Sequence, residues 1–443
     1  MAEMRFEPSG PLRGVLQAPP DKSISHRAAL LAAMSRRPVT IRRYLDSADT
    51  RRTLEAISRL GAEVGIEPED RGLTVSVEGV GLRGPRQDLE LDVGNAGTLI
   101  RLLSGWLAAQ DGATYVLDGD ESIRRRPMER VADPLRLMGA QIGTAEDGRP
   151  PLRISGSPLG GIDYEMPIAS AQVKSALLLA GLVADGPTTI REPGPTRDHT
   201  EIMLRSAGVE VSSEARTALP TAPPPMRVKV EGNTRGHLEL PDLSVAGDLS
   251  SAAFHLVAGL LVPGSVVRVE GVGLNPTRVG LLGILNRMGA AIEVEETGHQ
   301  AGEPIGTITA RHGELRGTRV SGAEVPLAID ELPLVALLGS FAEGDTVVSG
   351  AEELRHKESD RIASVVTGLS ALGAEIEAAA DGFIVTGAGG LPGGRIDAAG
   401  DHRIAMLGAI AGLASRGGVA VEGVEAAGVS YPGFESDLAT LVR

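Results

Sequence analysis

Cations and small hydroxyl residues stand together at several places in a chain whose net charge is −15, and most of these clusters stand where an apolar helical pattern begins. In the first, Asp21 to Arg27, Lys22 and Arg27 bracket hydroxyls, including Ser23, suited to capping a helix and touching a carboxylate or phosphate. The second, Gly94 to Thr98 with Arg101, is a small-residue turn that lets a ligand approach backbone amides closely. Ser170, Ala171 and Gln172, followed by Val173 and Lys174, offer a hydroxyl and an amide at a third helix start. Unpaired amides and the positive end of the helix dipole already favour anions at such places. Further on, Asp330 and Glu331 open the apolar run Leu332 to Leu338, an expensive position for a carboxylate unless water, a partner or a ligand meets it. Lys357 to Arg361 opens another apolar stripe. The four-residue spacing of Lys357 and Arg361 predicts one helical face, where like charges repel unless an anion lies between them. Asp401, His402 and Arg403 open the last helix. Each cluster alone is equally well read as a capped helix with solvated charges, and His26 reads as structural because nothing near it in sequence orients it as a base. Jointly they recur at equivalent positions of one repeat, and helix starts gathered around a cleft would bind small polyanions.

The elements that must position these residues recur six times. A small-residue apolar helix runs into Pro or Gly and then a β-branched strand at Pro38, Gly112, Gly186, Gly264, Gly344 and Gly417, so that repeats of about 74 residues fill the chain. A second set of helices between them ends in a common pattern, as in Leu60 Gly61 Ala62 and Leu372 Gly373 Ala374. Stripes such as Leu99, Leu102, Leu103, Trp106 and Leu107, or Ile362, Val365, Val366, Leu369 and Leu372, support the helices. The sixth copy lacks a closing strand before the chain ends, and Met4 to Leu16 is the expected replacement. Boundaries near Pro20 and Leu243 then give a first domain of residues 21–242 and a second of 1–20 plus 243–443. Pro220 to Pro225 is expected to be an irregular surface loop.

Composition narrows the function. At 42% hydrophobic and 23% charged residues this is a large α/β protein without an apolar run long enough to span a bilayer. Met1 to Gly10 shows no secretory or transit pattern, and the cytoplasm is the expected location. No cysteine is present, which excludes a disulfide framework, a thiol nucleophile and Cys-ligated zinc; the eight histidines show no metal-ligand spacing. The acidic charge and ten aromatic residues argue against a general nucleic-acid binder.

The motifs from Lys22, Gly94, Arg126 Pro127 Met128, Ser170, Lys357 and Asp401, in this order and spacing, resemble the 5-enolpyruvylshikimate 3-phosphate synthase family over essentially the whole chain. These are the 3-phosphoshikimate 1-carboxyvinyltransferases of aromatic amino acid biosynthesis. The resemblance implies two domains, each an inverse α/β barrel of three repeated units, closing on shikimate 3-phosphate and phosphoenolpyruvate in the interdomain cleft. It implies no metal and no organic cofactor, no nucleic-acid or membrane partner, and a monomer is expected.

By the same resemblance Ser23 and Arg27 would hold the shikimate carboxylate. Ser170 with Thr196 or Arg197 would lie at its phosphate, Ala171 and Gln172 beside the ring. Lys22 would touch both substrates. Phosphoenolpyruvate would be held by Gly97, Arg126, Gln172, Arg361 and Arg403, its two anionic groups suiting planar guanidiniums. The implied reaction is addition then elimination. Asp330 would be the base for the 5-hydroxyl, Glu358 with Lys22 would move the methylene proton, and Lys357 would orient the hydroxyl. Arg101 is followed by Leu102, where one branch of the family has Pro, and Val429 to Pro432 lacks a lysine that the same branch uses; the chain resembles the other branch, apart from His356 where an apolar residue is usual. Glyphosate sensitivity is expected from Gly97, where an Ala methyl would crowd the phosphoenolpyruvate site. Two rival readings are the related UDP-N-acetylglucosamine enolpyruvyl transferase, which commonly uses a loop cysteine that Gly119 to Met128 lacks, and a non-catalytic anion-binding scaffold.

Overall fold

The computed structural model describes residues 2–84, 87–215, 225–232 and 238–442. The expected loop at Pro220 to Pro225 lies outside these residues except for Pro225 itself. No helix among them is long and apolar enough to cross a membrane.

The second repeat shows the building block. Strand Leu89–Asp92 leads into helix Gly97–Ala108 and strand Thr114–Asp118; helix Glu129–Leu137 then precedes strands Gln141–Gly143 and Leu152–Ser155. The first two strands run parallel with Leu89 opposite Tyr115, which requires the intervening helix as a crossover. Thr114–Asp118 then pairs antiparallel with Leu152–Ser155, and that strand with Gln141–Gly143. Glycine at φ +102 in Gly139 turns the chain from the second helix into its strand, as Gly373 does at φ +91 in the fifth repeat. The third and fifth repeats have the same strand order. The sixth turns at Gly418, φ +73, one residue beyond the Gly417 expected from the sequence.

The first, fourth and sixth repeats borrow strands. Leu243–Ser244, which precedes the fourth repeat in the chain, pairs parallel with Ile41 and Arg42 of the first. Arg13–Gln17, which precedes the first, pairs parallel with Val266 to Glu270 of the fourth. Glu3–Phe6 supplies the strand missing from the sixth repeat, antiparallel to Val419–Glu422. The segment Met4 to Leu16 therefore divides its pairing between two sheets.

The chain forms two compact units, one of Met1–Pro19, Ala246–His299 and Glu303–Arg443, the other of Pro20–Val245 with Gln300–Gly302. In each, among the described residues, three helices are buried on all sides along most of their length. Leu249–Leu261 is buried at every position, and His402–Ala414 at every position but the last. Such helices belong inside a shell, and the sheets and the one-sided helices provide it. Helix Arg361–Ala371, for example, buries only Arg361, Ile362, Val365, Gly368 and Leu369, a single stripe. Because the inner helices begin with the charged and hydroxyl clusters, their packing fixes where those side chains start.

Helices Gly97–Ala108 and Ala171–Gly181 approach so closely that a Cβ on Gly105 would lie 2.0 Å from the Ala176 carbonyl oxygen. Backbone cannot yield as a flexible side chain does. Gly105→Ala is therefore expected to destabilise the protein by about 1–3 kcal/mol through overpacking, measured by urea unfolding; an unchanged midpoint would show that the two helices separate without cost.

Candidate functional site

In the unit of residues 20–245, the Asp21 carboxylate caps helix Lys22–Met34 by accepting from the Ile24 amide at 2.8 Å. That cap sets Lys22 at the first position of the helix, where its Nζ meets the Asp49 carboxylate at 3.0 Å. One turn later the buried Arg27 donates to the Ser23 carbonyl at 2.9 Å, the Thr200 hydroxyl at 2.8 Å and the Ser175 hydroxyl at 3.0 Å. One guanidinium thus ties together three helices. Ser170 caps the helix that carries Ala171, Gln172 and Ser175, accepting from the Val173 amide at 3.4 Å. Gln172 Nε2 donates to the Thr98 hydroxyl at 3.0 Å, which joins this helix start to that of Gly97. Thr98 is no cap; Ala96 holds that place without a side-chain bond.

The start of helix Gly97–Ala108 is crowded by cations. Arg101 donates to the Gly97 carbonyl at 3.0 Å, and Arg126 approaches the Asn95 side chain at 3.5 Å. A Cβ on Gly97 would lie 2.3 Å from one Arg126 nitrogen and 3.0 Å from one of Arg101. Two guanidiniums at the positive end of a helix make an anion-binding place. Thr196 is buried and its hydroxyl donates to the Glu192 carboxylate, while Arg197 is half-buried beside it in sequence.

In the other unit the acids and arginines meet around Arg361, whose side chain is only 1% exposed. Its Nε bonds Asp401 at 2.8 Å, one terminal nitrogen lies 3.3 Å from Asp330, and the other lies 2.5 Å from Glu358. Arg403 donates to the Asp330 carbonyl at 3.0 Å, with its second nitrogen 3.7 Å from that carboxylate. Arg278 reaches Asp248 at 2.8 Å, Glu331 at 3.6 Å and Asp330 at 3.8 Å. Five carboxylates therefore face three guanidiniums. Burial works against the charge on Arg361, yet Asp401, Glu358 and Asp330 hold its pKa above the usual arginine value. Burial pushes the Asp401 carboxyl up, and Arg361 outweighs it, leaving the group below the usual carboxylate range.

Lys357 departs from expectation. The helix starts at Arg361, capped by Asp360, which accepts from the Ala363 amide at 3.0 Å. Lys357 precedes that cap in extended backbone after a short 3-10 turn, Glu352–His356, so it shares no helical face with Arg361. Its side chain is half-buried. The charge on Arg361 is balanced by Asp401, Glu358 and Asp330.

The residues proposed from sequence thus form local groups: Ser23, Arg27 and the helix of Ser170; Gln172 with the start of the Gly97 helix and Arg126; and Asp330, Glu358, Arg361 and Arg403. Asp49, Arg278, Asp401 and the acids around Lys174 complete these groups without a role foreseen for them. The sequence marks Asp401 as a helix cap, but its bond to Arg361, like the pairings of the others, joins residues distant in sequence. Among the described residues no group of three or more His, Asp or Glu is placed to hold a metal ion.

His26 is buried with Nδ1 2.6 Å from the Thr53 hydroxyl. Burial first, then Lys22 and Arg27, hold its pKa well below 6.5. The unfolded chain takes up a proton near that value which the folded chain refuses, so stability falls as pH drops below about 6.5, by at most about 1.4 kcal/mol per pH unit. His26→Gln is expected to flatten the stability profile between pH 7 and 5 in chemical denaturation; an unchanged slope would assign the dependence to other groups.

The sequence pattern of one family, EPSP synthase (3-phosphoshikimate 1-carboxyvinyltransferase), matches residues 6–438. The chain is 48% identical to the 3-phosphoshikimate 1-carboxyvinyltransferase of Thermus thermophilus over 442 residues, covering 100% of this chain and 99% of that protein. It is 45% identical to the protein of the same name from Acidithiobacillus ferrooxidans, covering 98% and 96%. Among solved structures, EPSP synthase from Acinetobacter baumannii aligns with a TM-score of 0.83 at 40% identity, covering 100% of this chain and 98% of that one. The enolpyruvyl transferase NikO from Streptomyces tendae, at 20% identity and a TM-score of 0.75 over 99% and 96% of the two chains, shares the fold.

Proposed function

The chain belongs to the EPSP synthase family, a family of enolpyruvyl transferases with a two-domain α/β fold, and from this premise we propose that its carboxylate and arginine groups transfer the enolpyruvyl group of phosphoenolpyruvate to the 5-hydroxyl of shikimate 3-phosphate. Phosphate is released, and the product enters aromatic amino acid biosynthesis. The single observation that carries the assignment of roles is the meeting of Asp330 and Glu358 on one buried guanidinium, Arg361.

In the addition step the 5-hydroxyl oxygen bonds to C2 of phosphoenolpyruvate while C3 gains a proton. Asp330 accepts the hydroxyl proton; Glu358, with Lys22, supplies the proton to C3. In the elimination step the C2 to phosphate-oxygen bond breaks and C3 returns a proton to the same groups. Arg361, Arg403 and Arg126 hold the two anionic groups of phosphoenolpyruvate, with Lys22, Gln172 and the Gly97 amide beside them. Ser23 and Arg27 take the shikimate carboxylate, and Ser170, Thr196 and Arg197 its phosphate, with Ala171 and Gln172 along the ring. Lys357 orients the 5-hydroxyl and offsets negative charge. The reaction needs no metal or organic cofactor and is assigned to a cytoplasmic monomer.

An excess of carboxylates over guanidiniums weakens plain anion binding, which supports proton transfer over a passive scaffold. The UDP-sugar reading is not favoured, since the relatives carry the shikimate name. Phosphate release should therefore require phosphoenolpyruvate with shikimate 3-phosphate. Release with UDP-N-acetylglucosamine instead, or with neither acceptor, would overturn the reading.

Asp330→Ala and Glu358→Ala are each expected to lower kcat by at least about 10²-fold with smaller changes in KM; normal turnover at saturation would make both groups structural. Gly97→Ala should raise the KM for phosphoenolpyruvate and the glyphosate concentration needed for inhibition, because the added methyl displaces Arg126. Unchanged values for both would separate Gly97 from that site.

A further inference from the structure

Lys174 is one of the most deeply buried charges in the unit of residues 20–245, and the reaction as described gives it nothing to do. Its side chain, like those of Glu192 and Glu201, is 1% exposed, so none of the three can touch a substrate. The ammonium donates to Glu192 at 3.0 Å and to the Thr196 carbonyl at 3.4 Å, and forms an ion pair with Glu201 at 2.7 Å. Two carboxylates and one carbonyl thus surround the buried ammonium. Glu192 accepts in turn from the Thr196 hydroxyl. Thr196 is therefore held at its backbone by Lys174 and at its side chain by Lys174's partner, and Arg197 follows directly.

The same group locks the two helices on either side. Lys174 and Ser175 are consecutive on helix Ala171–Gly181, while Glu201 and Thr200 are consecutive on helix His199–Ser206. Lys174 pairs with Glu201, and the Ser175 and Thr200 hydroxyls lie 2.7 Å apart. Arg27 then binds both hydroxyls. One ammonium thus connects the Thr196 to Arg197 segment to the helix whose start carries Ser170 and Gln172. Replacing such a charge leaves two buried carboxylates to repel each other beside Thr196.

We propose that Lys174, Glu192 and Glu201 form a positioning triad that sets Thr196 and Arg197 against the phosphate of shikimate 3-phosphate. This rests on the functional reading above, which assigns that phosphate to Ser170, Thr196 and Arg197. The groups assigned to phosphoenolpyruvate, apart from Gln172, lie on other elements. The triad consequently governs one substrate.

The test is steady-state phosphate release by the full-length enzyme, with each substrate varied in turn. Lys174→Met is expected to raise the KM for shikimate 3-phosphate at least tenfold, with kcat and the KM for phosphoenolpyruvate within about threefold of wild type. Lys174→Gln, which keeps a donor in the pocket, is expected to show the same selectivity at a smaller size and carries the test if the Met variant does not fold. Equal losses for both substrates, or an unchanged KM for shikimate 3-phosphate in a folded variant, would overturn the positioning role alone. Absence of phosphate release by the wild-type chain with this substrate pair would overturn the functional reading and the triad's role with it.

Discussion

A guanidinium sealed from water needs acceptors and counter-charge close by, and Arg361 meets that need with carboxylates. Asp401 answers it with two bonds to the guanidinium while also capping the helix that carries Arg403. Asp330 and Glu358 answer it from the turn before helix Leu332–Phe341 and from the bend before helix Arg361–Ala371. Removing the arginine would leave three acids around a buried hole, a change of about 3–5 kcal/mol by the usual cost of breaking a buried pair. The arrangement therefore fixes Asp330 and Glu358, the two groups proposed for proton transfer, relative to each other. Preorganisation of this kind is what positions charge for a transition state.

The repeats make that arrangement possible. Each inner helix is buried on all sides along most of its length, so it is held there and its first turn is fixed in position. Functional side chains then need only occupy the first turns. Strand borrowing adds a second constraint, since Arg13–Gln17 and Leu243–Ser244 each complete a sheet whose other strands lie on the far side of a unit boundary in the sequence. The crossings near Pro20 and Val245 are thereby each flanked by a strand held in a sheet.

Periodicity and glycine made the repeats legible, because helix stops and β-branched exits are local signals. The clusters at Lys22 and Asp401 were legible for the same reason, a cap and a charge within one turn, whereas Gly97 and Asp330 were legible from a small-residue turn and a charge ahead of apolar runs that no side chain caps. Their partners were not. Asp49 lies 27 residues from Lys22, and Glu192 lies 18 from Lys174, with no pattern joining either pair. Lys357 illustrates the limit of spacing, since four residues mean one face only inside a helix and the Asp360 cap starts the helix later. The N-terminal strand was legible by subtraction from the sixth repeat, but its division between two sheets depends on pairing that the sequence does not display.

The most direct test is a crystal structure of the enzyme with shikimate 3-phosphate and an unreactive phosphoenolpyruvate analogue bound together. The account predicts Arg361 and Arg403 on the analogue's anionic groups and an Asp330 carboxylate oxygen within hydrogen-bond distance of the 5-hydroxyl. It is contradicted if both ligands bind while Arg361 keeps only its bonds to Asp330, Glu358 and Asp401, and no carboxylate of that cluster reaches the reacting atoms.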